Sequence, residues 1–188
     1  MSPLEIAAVV LGLANIVLLV RRSIWNYSFG MAMVALYALI FFRARLYGEA
    51  GLQGFFFVVN VYGWWLWARA GGAEHAVAVR WMGWPARLAW LVAIALVAAT
   101  LGSVMHALTN AAMPFADASI TAASIAAQFL LSFRRIENWV YWIAIDCLSI
   151  GLYVWRGLNL TAGLYVVMLI MSIIGLGAWL SSRRAVRV

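Results

Sequence analysis

Residues 138–155 read N-W-V-Y-W-I-A-I-D-C-L-S-I-G-L-Y-V-W. The stretch is apolar enough to lie in a membrane, yet Asp146 stands at its middle. An ionisable side chain in hydrocarbon is expensive and marks a functional position by default. Trp139, Trp142, Asp146, Ser149 and Tyr153 follow one another at steps of three, four, three and four, which puts all five on one face of a helix. That face offers two indoles, a carboxylate, a hydroxyl and a phenol. Two indole rings beside a carboxylate suit a flat cation, held by cation–π attraction and by charge. A second reading of the same residues makes the tryptophans an interfacial belt and pairs Asp146 with an arginine or a hydroxyl on another helix.

Working outward, the rest of the chain has the same character. Of 188 residues, 67% are hydrophobic and 10% charged, a balance that excludes a water-soluble domain. A spanning helix needs about 20 apolar residues. The chain therefore accommodates seven spans, near 4–20, 23–42, 52–68, 88–105, 118–131, 138–155 and 160–180, and the expected fold class is an all-α integral membrane protein. The alternating ten-residue segments of a membrane barrel are absent. Positive charge follows the first apolar run, at Arg21 and Arg22, so this run is a retained span rather than a signal peptide.

The net charge of +7 is no nucleic-acid signal. The arginines sit at span ends, where they set orientation and meet anionic lipid headgroups. With seven spans, Arg21, Arg22, Arg69, Arg80, Arg87, Arg134, Arg135, Arg183, Arg184 and Arg187 fall on one side, and Arg43, Arg45 and Arg156 on the other. The excess assigns the first side to the cytoplasm, with the N-terminus outside and the C-terminus inside. There is no lysine, which excludes a retinal Schiff base. The single Cys147 excludes an intrachain disulfide.

The second half repeats the first. Displaced by 112 positions, Arg134 falls on Arg22, Ile136 on Ile24 and Asn138 on Asn26. Ala162-Gly163-Leu164 falls on Ala50-Gly51-Leu52, Gly175 on Gly63 and Trp179 on Trp67. Each copy is three spans. The polar-poor fourth span turns the second copy back, so both point the same way. This is a 3+1+3 parallel repeat, the plan of sugar-permeating transporters of the SWEET type, whose substrate sits near the midplane between the halves. The expected division is a first three-helix bundle at 1–69, a connector with a linker helix at 70–112, and a second bundle at 113–188.

The repeat also says where the first half answers the Trp139 face: Tyr27, Gly30, Val34, Tyr37 and Phe41. The charge exists in the second copy alone, and an asymmetric site suits an asymmetric ligand. The third span carries its own stripe, Gln53, Phe57, Asn60, Trp64 and Trp67, and the fifth offers Ser124 and Gln128. Amides inside a membrane must find partners, either one another across helices or a ligand. Asn15 and Ser172 read as helix–helix glue. Tyr62, Trp25, Trp155 and Trp179 read as belt residues, and Asn26 and Asn138 as helix caps. No Gly-rich phosphate loop, nucleophile–base spacing or metal-ligand cluster is found, and His75 and His106 have no ligand partner at useful spacing. No catalytic residue, cofactor or metal is expected.

N-V-Y-G-W-W-L-W (60–67), R-R-I-E-N-W-V-Y-W-I-A-I-D (134–146) and S-I-G-L-Y-V-W-R-G-L-N-L-T-A-G-L-Y (149–165) resemble the PnuC family of bacterial vitamin transporters, across essentially the whole chain. In members that carry nicotinamide riboside, a W-x-x-W pair followed four residues later by Asn or Asp lines the site. Trp139, Trp142 and Asp146 match it. The resemblance implies facilitated uptake of nicotinamide riboside by alternating access across the bacterial inner membrane, feeding NAD synthesis. It also implies a SWEET-like fold, a homotrimer, and a gradient kept steep by a cytosolic kinase. Beside this stands the chemistry of the residues. The riboside is a flat permanent cation with a carboxamide and a ribose. Gln128, or Gln53 with Asn60, could read the carboxamide, and Tyr37, Ser149 or Gln53 the hydroxyls. Thiamine is also a flat cation, so another aromatic vitamin remains an alternative. So does a version coupled to protons through Asp146.

Overall fold

The computed structural model describes residues 3–43, 47–71, 78–108, 113–155 and 159–185. Among these residues lie seven helices: α1 (Pro3–Val20), α2 (Asn26–Arg43), α3 (Tyr47–Arg69), α4 (Trp84–Leu108), α5 (Pro114–Ser132), α6 (Glu137–Trp155) and α7 (Asn159–Ala185). Every apolar run read from the sequence is one of them. The three prolines, Pro3, Pro85 and Pro114, all stand in a first turn, where a missing N–H costs no hydrogen bond. The helices at Trp84–Leu108 and Pro114–Ser132, and Ala162–Ser182 within α7, are long and apolar enough to cross a membrane. Ile6–Val20 and Asn26–Ile40 are apolar but shorter. Arg45, Gly72, His75, Arg156 and Arg187 lie outside the described residues.

Several boundaries differ from the sequence reading. α2 begins at Asn26, not near 23, because Ser23–Trp25 form the turn that leaves α1. The long connection after α3 ends earlier, since Trp84 and Pro85 already open α4. Arg183 and Arg184 belong to α7 rather than to a tail.

α1 and α5 end in the same way. Arg22 has φ 58 and Arg134 φ 59. Arg22 N–H donates to Leu19 O at 2.9 Å and Ser23 N–H to Leu18 O at 2.9 Å. Arg134 N–H donates to Leu131 O at 2.9 Å and Arg135 N–H to Leu130 O at 2.8 Å. Both ends are Schellman closures with an arginine where glycine is usual. A left-handed L-residue costs about 1–2 kcal/mol, and the chain accepts that cost twice, at positions 112 apart.

The chain forms two compact units. The first holds α1, α2 and α3, residues 131–134, and α7 from Ala178 onward. Its core includes Leu19, Tyr27, Val34, Val59, Trp67, Leu131 and Trp179. Trp67 meets Tyr27 edge-on, with ring centroids 5.3 Å apart, and lies 6.2 Å from Trp179. Trp67 Nε1 donates to Leu131 O at 3.3 Å, and Trp179 Nε1 donates to Leu19 O at 3.1 Å. Each carbonyl that closes a helix end thus accepts a second bond, from an indole at the end of another helix.

The second unit holds residues 80–130 and 135–177, that is α4, most of α5, α6 and most of α7. Ala118, Ala122 and Ala126, one every fourth position of α5, are 0–3% exposed. Small residues at that spacing let helices approach where lipid supplies no hydrophobic drive between them. Among the described residues α4 buries only Gly102, against Phe115 of α5, and turns Leu88, Leu91, Leu96 and Val97 outward.

Candidate functional site

The α6 face lies in the second unit. Trp139 is 2% exposed. Its six-membered ring lies against Gly175 of α7, where an added Cβ would stand 2.5 Å from Cζ2 and Cζ3. One turn on, Trp142 is half-buried. Asp146 is 4% exposed, and its Oδ2 accepts from Ser172 Oγ of α7 at 3.0 Å. The partner of this carboxylate is therefore a hydroxyl on a neighbouring helix, and Ser172 is more than general glue. One carboxylate oxygen is held in place, and Oδ1 has the chemistry to accept from a ligand. Ser149, one turn further, is fully buried, and its hydroxyl is placed to pair with the Tyr165 phenol of α7. A hydroxyl both donates and accepts, so Ser149 has the chemistry to meet a ligand hydroxyl as well. Tyr153 ends the face, stacked on Tyr165 of α7 at 5.2 Å. Gln128, on α5 in the same unit, is 8% exposed.

The hydrogen bond to Ser172 separates two substitutions. Asp146→Asn keeps an acceptor for Ser172, whereas Asp146→Leu strands its buried hydroxyl at a cost of about 1–3 kcal/mol. In a detergent melting experiment Asp146→Leu is expected to lower Tm clearly and Asp146→Asn little. Equal losses would mean that the bond does not hold α6 to α7.

The candidates of the first unit are Tyr37, Gln53 and Asn60. Asn60 is 6% exposed, and its Nδ2 donates to Phe56 O of its own helix at 2.8 Å. Gly30 of α2 makes room for it: a Cβ at Gly30 would lie 3.1 Å from Asn60 Oδ1 and 2.8 Å from Asn15 Nδ2. Asn15 Nδ2 in turn donates to Asn26 O at 2.6 Å, joining α1 to α2. Much of the hydrogen-bonding capacity of Asn60 and Asn15 thus serves the packing of α1, α2 and α3. Gln53 and Tyr37 are half-buried. The expected α3 stripe divides into two lines. Gln53, Asn60 and Trp67 turn inward, while Phe57 and Trp64 are 40% and 45% exposed.

Two sequence readings change here. Trp179, taken as a belt residue, is 0% exposed, because its indole N–H reaches the carbonyl that ends α1. Trp25 and Trp155 do face outward, at 63% and 67%. Asn26 and Asn138 do not cap through their carbonyls. Their Nδ2 atoms donate back to Ser23 O and Arg135 O, both at 2.6 Å.

A residue the sequence reading passed over is Glu137, at the first turn of α6 and 5% exposed. Its Oε1 lies 2.8 Å from Arg87 Nε. An acid at a helix start, next to buried Asn138 and Trp139, was a signal available in the sequence. Its partner, 50 residues away, was not.

Residues 2–181 match the family described as nicotinamide mononucleotide transporter. The chain is 30% identical to the nicotinamide riboside transporter PnuC of Escherichia coli (strain K12), over 98% of this chain and 87% of that protein. It is 29% identical to the riboflavin/roseoflavin transporter RibM of Streptomyces davaonensis, over 93% and 84%. A crystal structure of the vitamin B3 transporter PnuC superimposes with a TM-score of 0.76 at 28% identity, covering 97% of this chain and 82% of that one. These relatives are named as transporters, not enzymes. With a family match over residues 2–181 and 30% identity across 98% of its length, the chain belongs to the PnuC family of multi-pass membrane transporters.

Proposed function

We propose that this protein moves nicotinamide riboside into the cytoplasm by alternating access, supplying NAD synthesis without ATP coupling. The observation that carries the reading is the α6 face, on which Trp139, Trp142 and the held carboxylate of Asp146 follow at helical spacing. A flat pyridinium gains from the indole faces and from the carboxylate. Gln128, Gln53 and Asn60 are the candidates for the carboxamide, and Ser149 and Tyr37 for the ribose hydroxyls. A phosphate monoester carries negative charge that Asp146 repels, so the riboside fits this face better than the mononucleotide.

All seven helices span the membrane in this reading, as a 3+1+3 parallel repeat of the SWEET kind with α4 as linker. Supporting it, the left-handed arginines, the indole-to-carbonyl bonds, the Asn amide bonds and the tight Gly63 and Gly175 all recur 112 positions apart. The arginine distribution supports a cytoplasmic C-terminus. Lipid covers the outward leucines and valines of α4, and the family resemblance favours a homotrimer.

Isothermal titration of the purified protein tests the substrate, with nicotinamide riboside, nicotinamide mononucleotide and thiamine in turn. Binding of the riboside alone is expected. A second reading has one observation in its favour, the likeness to a riboflavin/roseoflavin transporter, and binding of another aromatic vitamin in place of the riboside would establish it. Loss of uptake on adding a proton uncoupler at fixed substrate gradient would instead favour proton coupling through Asp146.

Trp142→Ala is expected to weaken riboside binding by about 10- to 100-fold, since a desolvated cation–π contact and its buried area contribute about 2 kcal/mol or more. Trp25→Ala, on the 63% exposed counterpart of Glu137, should stay within about twofold. Comparable losses would remove the face assignment.

A further inference from the structure

Glu137 fastens two segments that are far apart in sequence. Its Oε1 accepts from Met82 N at 2.8 Å and from Arg87 Nε at 2.8 Å. Beside it, Ile136 N donates to Arg80 O at 3.2 Å, and Arg80 and Arg135 pair as a parallel bridge. The Arg87 guanidinium also lies 5.1 Å from the Trp81 ring centroid. The approach to α4 and its first turn are thereby tied to the first turn of α6. The residue 112 positions before Glu137, in the first repeat, is Trp25, 63% exposed. The tie belongs to the copy that carries the charged face.

Stability alone is a poor reason for it. A buried carboxylate loses its hydration, and a pair whose arginine is 36% exposed returns little of that loss. Replacing both charged partners of such a pair by apolar groups is often neutral or stabilising. What the tie supplies is position. A helix that slips by one residue moves 1.5 Å along its axis and turns by about 100°. Either movement would lift Trp139 from Gly175 and take Asp146 out of reach of Ser172.

We propose that Glu137 is a positioning residue for the substrate face of α6: by clamping the approach to α4 onto the first turn of α6, it sets the height and rotation of Trp139, Trp142 and Asp146. The proposal rests on the assignment of that face to substrate, so its test includes a readout that needs no substrate. Full-length Glu137→Ala and Glu137→Gln are compared with the parent in a Cys147→Ala, Ser149→Cys background, with maleimide labelling of the buried cysteine at 149. Hydrogen exchange over 80–83 and titration with nicotinamide riboside complete the comparison.

In Glu137→Ala, exchange at Met82 should accelerate and labelling at 149 rise, and riboside affinity in the otherwise native protein should fall by about tenfold. Glu137→Gln keeps an acceptor for Met82 N–H and should stay within about threefold in every readout. If Glu137→Ala does not fold, Glu137→Asp, one methylene shorter, carries the same test. Faster exchange at 80–83 with unchanged labelling at 149 overturns the proposal, and so does unchanged exchange. A parent protein that does not bind the riboside removes the substrate reading, and the labelling comparison still decides the clamp.

Discussion

Gly175→Ala, the addition of one methyl group, is expected to cost this protein about 10- to 100-fold in riboside affinity. The new Cβ would stand 2.5 Å from two carbons of the Trp139 ring. No real Cβ contact is that short, so the ring must move or α7 must. Trp139 is 2% exposed, so any turn of its ring displaces its neighbours or the ligand face. Overpacking of this kind costs about 1–3 kcal/mol, and here it falls on the indole that opens the substrate face. Gly151→Ala is the control. It lies on α6 itself, and its Cβ would meet nothing within 4 Å, so binding should change by no more than about twofold. Titration of the two variants decides the matter: unchanged affinity in Gly175→Ala would mean that Trp139 need not sit where it does.

The largest loss of stability is expected at the paired indoles of the first unit. Trp67 and Trp179 are each 0% exposed, and each donates to a carbonyl in the last turn of another helix. Truncating either to alanine removes a large buried side chain, a ring–ring contact and a hydrogen bond, at about 3–5 kcal/mol. Trp→Phe keeps most of the packing and leaves the carbonyl with its main-chain donor alone, so about 1 kcal/mol is expected. Thermal melts in detergent should therefore rank Ala far below Phe at both positions, with similar losses at 67 and 179. A belt tryptophan such as Trp155 should melt as the parent does when truncated, and an equally mild Trp179→Ala would return Trp179 to the belt.

The helices were legible because length and apolarity alone decide that a segment lies in lipid. The α6 face was legible because the 3.6-residue period is a local property. The 112-residue register also pointed at the pairs that later recur in the fold, Arg22 with Arg134 and Trp67 with Trp179. What stayed hidden was long-range or ambiguous by composition. A tryptophan near a span end looks the same whether it faces outward, as Trp155 does, or reaches a carbonyl 160 residues away, as Trp179 does. The α3 stripe has ideal spacing, yet packing takes only every seventh residue of it. Asp146 could have met an arginine or a hydroxyl, and only the placement of α7 selects Ser172. Glu137 stands out only once Met82 and Arg87 are beside it, because both come from a distant segment.

The bond from Trp179 to Leu19 also bears on how the protein is made. α1 leaves the ribosome well before α7, and their ends are joined across 160 residues. Closing so long a loop is entropically slow. The first three helices can insert and pack early, but the Leu19 carbonyl waits for its indole until α7 has been made. Quality control of a nascent chain stalled before Trp179 would meet a bundle whose last fastening has not arrived.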